Sequence, residues 1–219
     1  SPSDEHESVA NLLNVSQSIQ RFTELNDDSN LIIYYAGHGR YIESSKSGYW
    51  LCNDVQNFSN SDGGSGCYHH ASLVGSLEKC SGLRHILLIS DSCFAGSLIQ
   101  TRDIKTRTLD VSSIIDSYKS REVLASCGMN VDKTYQVADD DSMNGHSLFA
   151  YWLLEFLKNP GLQSFYSNHL FDYLLKNIGA FQMPTLGYLR GHDFARNATF
   201  VFHNQKPVFV PIPNTMHLQ

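Results

Sequence analysis

Two short segments of the sequence place one reactive side chain among small residues, directly after a run of apolar residues. In the first, Ala36-Gly37-His38-Gly39, glycines flank a histidine. In the second, Asp91-Ser92-Cys93-Phe94-Ala95-Gly96, a cysteine takes the corresponding position. A cysteine thiolate attacks an acyl carbon, and an imidazole can take the thiol proton and pass it to the leaving amine. These residue types therefore indicate acyl-transfer chemistry.

The glycines around the histidine fit the same chemistry. Attack on an acyl carbon creates an oxyanion, which backbone N–H groups stabilise when they point into the gap between nucleophile and base. A glycine lets one backbone approach another without a Cβ in the way. The N–H groups of Gly39 and Cys93 are the candidate oxyanion donors.

Two strands must position these segments. Leu31–Ala36 and His85–Ser90 are short runs that are apolar on both faces, as expected for buried strands of a sheet covered on both sides. Open α/β sheets hold their sites at the carboxyl ends of such strands. If the two strands are neighbours, His38 and Cys93 meet above the sheet.

The rest of the chain alternates helices with strands. A third strand is predicted at Glu122–Ser126, a fourth at Thr199–Phe202, and a hairpin over Arg40–Asp54. Amphipathic spacing predicts helices over 5–25 (with Ser3 as N-cap), 69–80, 146–158 and 169–178. This alternation predicts an α/β fold with a doubly wound sheet. No linker divides the chain, so residues 1–219 are expected to form a single domain.

Composition excludes several classes of function. The 219 residues are 42% hydrophobic and 17% charged, which excludes a disordered chain. No apolar stretch approaches the ~20 residues that cross a bilayer, so no membrane span is expected. The net charge of −6, without a dense Lys/Arg run, argues against nucleic acid as a direct partner. Five irregularly spaced cysteines favour a reducing compartment, and we expect a cytoplasmic protein.

The motifs resemble a known family. Tyr35-Ala-Gly-His-Gly39 and Asp91-Ser-Cys-Phe-Ala-Gly96, with His38 and Cys93 55 residues apart, look like the His and Cys boxes of caspase-like cysteine peptidases. Four further segments are similar to family landmarks: Gly48–Asp54, Val123–Ser126, Asn144–Phe149 and Gln182–Pro184. The resemblance covers the chain from about residue 30 onward. It implies a caspase-like sandwich and a His38/Cys93 dyad that hydrolyses protein or peptide substrates without a cofactor.

The residues near the cysteine indicate a subgroup of that family. Asp91, two residues before Cys93, is similar to the pocket aspartate of metacaspases and paracaspases. A carboxylate there favours Arg or Lys before the cut and repels Asp. Asp132 is a second candidate for this pocket. A different preference, such as Asn or Leu, remains an alternative.

One departure from the family pattern concerns the beginning of the chain. Caspase-like folds open with strands before the one that carries the histidine, whereas only a helix is predicted before Leu31. The resemblance therefore implies a piece of a longer protein, with a possible sensor or regulatory domain in the missing portion or on a partner chain. It also implies a latent enzyme of cell-death or defence signalling. Self-cleavage in the basic interval 100–121 is a further hypothesis.

Other readings of the sequence stay open. A non-catalytic caspase-like scaffold could act by binding proteins. Cys67, His69 and His70, with Cys52 and Cys80 nearby, could form a zinc site, although their spacing matches no structural zinc motif well. Residues 139–141 are three consecutive aspartates that could bind calcium, but they lack the alternating spacing of a dedicated loop.

Overall fold

The computed structural model describes residues 10–25, 29–56, 65–100, 119–128, 145–162, 164–189 and 198–203. The helices within these ranges are α1 Leu12–Phe22, α2 His70–Lys79, α3 Leu148–Lys158 and α4 Ser167–Ile178. The strands are β1 Asn30–Ala36, β2 Gly39–Ile42, β3 Ser47–Gln56, β4 Ser65–His69, β5 His85–Asp91, β6 Ile99–Gln100, β7 Ser120–Ala125, β8 Ser164–Tyr166, β9 Thr185–Leu189 and β10 Val201–His203. No helix of these ranges has the length and apolar character needed to span a membrane.

The central sheet has the strand order β1-β5-β7-β9-β6. Strands β1, β5 and β7 run parallel, and β9 is antiparallel to both β7 and β6. The prediction of an α/β fold is therefore confirmed, with a mostly parallel sheet. The predicted strands at Leu31–Ala36, His85–Ser90 and Glu122–Ser126 are neighbours within it.

Alternating side chains of the central strands belong to two separate hydrophobic cores. On one face, Ile86 and Leu88 of β5 pack with the buried residues of α1 and α2. On the other, Leu87 and Ile89 pack with α3 and α4. Because successive side chains of a strand point to opposite faces, one apolar run fills both cores. Helices thus cover both faces of the sheet.

Strand β1 differs from its prediction. Its residues are apolar on both faces, which predicts full burial, yet Ile32 and Tyr34 are 48% and 47% exposed. Ile33 and Tyr35 contact the first core, whereas Ile32 and Tyr34 belong to neither. The reason is position, because β1 pairs only with β5 and forms the edge of the described sheet.

Two further predictions need correction. The first helix begins at Leu12 rather than near residue 5, because Asn11 is extended and its side chain accepts a hydrogen bond from the N–H of Asn14 at 2.8 Å. The predicted cap Ser3 lies outside the described residues. The predicted last strand forms as β10, but it pairs with β8 in a separate two-stranded ribbon instead of joining the central sheet.

A three-stranded antiparallel sheet, β2-β3-β4, lies beside the first core. Its first two strands are the hairpin predicted over Arg40–Asp54, and the turn residue Lys46 has a left-handed backbone with φ 53°. Trp50 of β3 is 2% exposed and belongs to the first core. The hairpin that follows His38 is thereby anchored to the central sheet.

Candidate functional site

The histidine and the cysteine lie at equivalent positions on adjacent parallel strands. Ala36 at the end of β1 is the register partner of Asp91 at the end of β5, and the N–H of Gly37 donates to the Asp91 carbonyl at 3.2 Å. His38 and Cys93 each follow two residues beyond this pair, and both are exposed. The structure therefore brings the two predicted reactive residues to one edge of the sheet.

Gly39 is the closest point of contact between the two segments. A Cβ added at this position would overlap the carbonyl oxygen of Cys93 and lie 3.3 Å from its nitrogen. The absence of a side chain is what allows this approach. The two backbones that carry the candidate oxyanion donors are consequently packed against each other.

A sharp turn presents the cysteine. Phe94 has a left-handed backbone, with φ 59° and ψ 18°, which costs a non-glycine residue about 1–2 kcal/mol. A buried 3-10 turn, Ala95–Leu98, follows directly. The Phe94 ring stacks on Tyr41 of the hairpin, with centroids 6.1 Å apart. The chain thus reverses after β5 and leaves Cys93 exposed at the bend.

Hydrogen bonds beneath this turn connect it to the hairpin. The indole N–H of Trp50 donates to the Ser90 hydroxyl at 3.2 Å, and that hydroxyl lies 3.0 Å from the hydroxyl of Ser92. All three residues are buried, so a lost partner would leave a polar group unpaired. The network connects the residue next to Cys93 with β3, the second strand of the hairpin that follows His38.

The backbone of His38 is held from the same side. Its carbonyl oxygen accepts hydrogen bonds from the N–H of Leu51 at 2.9 Å and from the hydroxyl of Tyr35 at 3.0 Å. The Tyr35 ring stacks on Trp50, with centroids 4.0 Å apart. The backbone that carries the exposed His38 is thus restrained by Tyr35 of β1 and by Leu51 of β3.

Asp91 points to the opposite face of the sheet from Ser90 and Ser92. Its partly buried carboxylate accepts a hydrogen bond from the Ser147 hydroxyl at the N-cap of α3. The hydroxyl of Tyr34 also donates to it, and burial, together with the Asp91 charge, raises the pKa of Tyr34 to about 12. Asp91 lies on the strand that carries Cys93, whereas Asp132 lies outside the described residues.

The residues considered for zinc are dispersed among different elements. In the described part of the chain, no group of three or more His, Cys, Asp or Glu side chains could hold a metal ion. His70 is buried in the first turn of α2, and its Nδ1 lies 2.6 Å from the Ser97 hydroxyl. Burial lowers the pKa of His70 to about 3. The three aspartates at 139–141 lie outside the described residues.

Sequence reasoning missed several residues that support the site. The side chains of Tyr35 and Cys127 bond backbone carbonyls of the site. Those of Trp50 and Ser90 bond each other. The one local signal was Tyr35, three residues before His38 and on the inward face of β1. The other contacts depend on which strands become neighbours.

Comparison with known proteins gives a likeness of fold. No family model and no curated protein matches the chain. Among solved structures, the chain is similar to a protein of Geobacter sulfurreducens that was determined by structural genomics, with a TM-score of 0.52 and 19% identity. The match covers 81% of this chain and 72% of that one. At this identity the likeness concerns the α/β fold alone.

Proposed function

We propose that this chain is a caspase-like cysteine endopeptidase that cleaves protein substrates after Arg or Lys. The observation that supports this most strongly is the register of β1 and β5, which pairs Ala36 with Asp91, two residues before His38 and Cys93. Two reactive residues at the same C-terminal edge of a parallel sheet occupy the usual position of an α/β active site. The exposure of both side chains leaves them accessible to a polypeptide.

The reaction follows from the roles of the two residues. His38 takes the proton of Cys93, and the sulfur attacks the scissile carbonyl carbon to form a C–S bond. The carbonyl oxygen becomes an oxyanion that accepts hydrogen bonds from the N–H groups of Gly39 and Cys93. His38 returns the proton to the leaving amine as the C–N bond breaks. Water, activated by His38, then hydrolyses the thioester and releases the acid.

The preference for a basic residue rests on Asp91. Its carboxylate lies at the same strand end as the nucleophile, where it accepts hydrogen bonds from the hydroxyls of Ser147 and Tyr34. A guanidinium or ammonium group would form a charge-assisted hydrogen bond with it, whereas a substrate carboxylate would be repelled. Asp132 is proposed to contribute to the same pocket.

The family resemblance supplies the biological setting of this proposal. It implies an enzyme that stays latent until a trigger orders its loops, in cell-death or defence signalling, while the cysteine usage favours a cytoplasmic location. The interval 100–121 is the proposed place of self-cleavage, and residues 101–118 of it lie outside the described ranges. Intact-mass analysis would contradict self-cleavage if it found no Cys93-dependent break there.

The test uses peptide reporters that differ only in the residue before the cut, together with an alkylating chloromethyl ketone of a peptide ending in arginine. We expect turnover of Arg and Lys reporters, lost in Cys93→Ala and reduced by about 10²–10⁴-fold in His38→Ala. Cys67→Ala is the matched control, because Cys67 is a partly exposed cysteine that lies on β4. Asp91→Asn should lower turnover of basic reporters.

The chloromethyl ketone separates a latent enzyme from a scaffold. A latent enzyme should still be alkylated at Cys93 much faster than at Cys67, and His38→Ala should lower the ratio of the two rates. Equal labelling of the two cysteines, without reporter turnover, would contradict the peptidase. That result would favour the alternative of a caspase-like protein that acts by binding.

A further inference from the structure

Two peptide units contain the proposed oxyanion donors, and both are anchored from behind. The N–H of Gly39 belongs to the same planar unit as the carbonyl of His38, and the N–H of Cys93 to the same unit as the carbonyl of Ser92. In a trans peptide the N–H and C=O point in opposite directions. Holding the carbonyl therefore fixes the direction of the N–H.

Cys127 holds the carbonyl of Ser92. It lies two residues beyond Ala125, the register partner of Ser90, and its thiol donates to the carbonyl of Ser92 at 3.3 Å. Burial raises the pKa of Cys127, so the thiol keeps the proton that it donates. The N–H groups of Phe94 and Ala95 also interact with its sulfur. Cys127 thus contacts the backbone on both sides of Cys93, at Ser92 and at Phe94 and Ala95.

Tyr35 holds the carbonyl of His38. Its hydroxyl lies 3.0 Å from the carbonyl oxygen of His38 and 3.2 Å from that of Leu51, and its single proton is shared between them. Burial raises the pKa of Tyr35, which keeps the hydroxyl a donor. A Cβ at Gly37 would lie 2.8 Å from this hydroxyl, so glycine at that position makes room for it.

We propose that Tyr35 and Cys127 are positioning residues of the oxyanion site, because they aim the N–H groups of Gly39 and Cys93 through the carbonyls of His38 and Ser92. The inference rests on the proposed function. Hydrogen bonds accepted by a peptide carbonyl also polarise the N–H of the same unit and strengthen its own hydrogen bond. Neither residue needs to touch the substrate.

The test compares two reagents that react with Cys93. A peptide aldehyde ending in arginine adds the sulfur to its carbonyl carbon, and the resulting oxygen occupies the oxyanion site. Iodoacetamide transfers a carboxamidomethyl group to sulfur with loss of iodide and forms no oxyanion. Tyr35→Phe and Cys127→Ala should each lower the affinity for the aldehyde about 5- to 30-fold. The rate constant for alkylation by iodoacetamide should change less than about twofold. Cys127→Ser, which restores a donor, should recover part of the loss.

Two matched controls exist in the chain. Tyr68 is a buried tyrosine that also stacks on Trp50, and Cys80 is a buried cysteine whose thiol donates to the carbonyl of Ser76. Tyr68→Phe and Cys80→Ala should leave the affinity for the aldehyde unchanged. Thermal unfolding of each variant verifies that it is folded at the assay temperature.

The outcomes distinguish this inference from the proposed function. If the wild-type protein is alkylated by iodoacetamide but does not bind the aldehyde, the peptidase proposal fails, and the inference fails with it. If the wild-type protein binds the aldehyde and both Tyr35→Phe and Cys127→Ala bind it equally well, only the positioning roles are overturned. Parallel losses with the aldehyde and iodoacetamide would also overturn them, since they would indicate damage to Cys93 itself.

Discussion

Strands β1 and β5 are adjacent, parallel and equal in length, yet their surroundings differ. Each has seven residues, and each is followed two residues later by an exposed reactive side chain. The first six residues of β5 are all buried between the two cores, whereas Ile33 is the one buried residue of β1. His38 and Cys93 therefore occupy equivalent positions after two strands that differ in how deeply they are buried.

The two strands are also held in place by different contacts. The cysteine ends a strand that β1 and β7 flank and two cores enclose. The histidine ends an edge strand, and its backbone depends on Tyr35, Leu51 and the stacked ring of Trp50. The proposed nucleophile thus follows the more constrained strand. The proposed base lies on a segment that the hairpin restrains.

The contact between the segments of His38 and Cys93 should give the largest effect. Gly39→Ala places a Cβ on the carbonyl oxygen of Cys93, so one backbone must move away from the other. Because one oxyanion donor is then misplaced, we expect kcat for the reporter to fall about 10²–10³-fold. Gly75→Ala is the control, since nothing lies within 4 Å of that Cβ and alanine favours a helix. Activity within twofold of wild type in Gly39→Ala would contradict the close approach.

A pair of register partners tests the difference in burial directly. Ile32 of β1 lies opposite Leu87 of β5, and their exposed fractions are 48% and 0%. Leu87→Ala leaves a cavity in the second core and should lower the free energy of unfolding by about 2–5 kcal/mol. Ile32→Ala should cost no more than about 1 kcal/mol. Urea unfolding measures both, and equal losses would mean that β1 is as buried as β5.

The sequence predicted what local patterns determine. Apolar runs identified β1, β5 and β7, and the small residues after two of them identified His38 and Cys93. Both features depend on residue types within a few positions of one another, which a single sequence displays. The adjacency of β1 and β5 was only a condition of the argument, and the structure meets it.

Other features depend on contacts that no local pattern contains. Ile32 and Leu87 are both apolar residues in apolar runs, and only the position of β1 at the sheet edge separates their environments. The contact of Cys127 with Ser92 arises because β7 pairs with β5. The pairing of β10 with β8, instead of with the central sheet, also depends on which strands become neighbours. Tertiary neighbours decide all three.

The turn that follows Cys93 has a pH-sensitive support in His70, which bonds Ser97 four residues after Cys93. Burial lowers the pKa of His70 from 6.5 to about 3, so between these values the unfolded chain binds a proton that the folded protein does not. Stability present above pH 6.5 is therefore lost as the pH falls toward 3, by up to about 1.4 kcal/mol per pH unit. His70→Asn keeps an acceptor near Ser97 and should reduce that slope. Identical slopes in urea unfolding between pH 6 and 4 would contradict the burial of a neutral imidazole.

The smallest expected effect concerns the bend itself. Phe94 has a positive φ, which is unfavourable for a residue that carries a Cβ, and its ring stacks on Tyr41. Phe94→Ala removes the ring and keeps the backbone penalty, whereas Phe94→Gly removes both. After the entropic cost of glycine in the unfolded chain, we expect Phe94→Gly to be about 0.5–1 kcal/mol more stable than Phe94→Ala. Calorimetric unfolding of the two variants measures this difference. If Phe94→Ala were the more stable, the bend after β5 would not be left-handed, and the exposure of Cys93 would need another explanation.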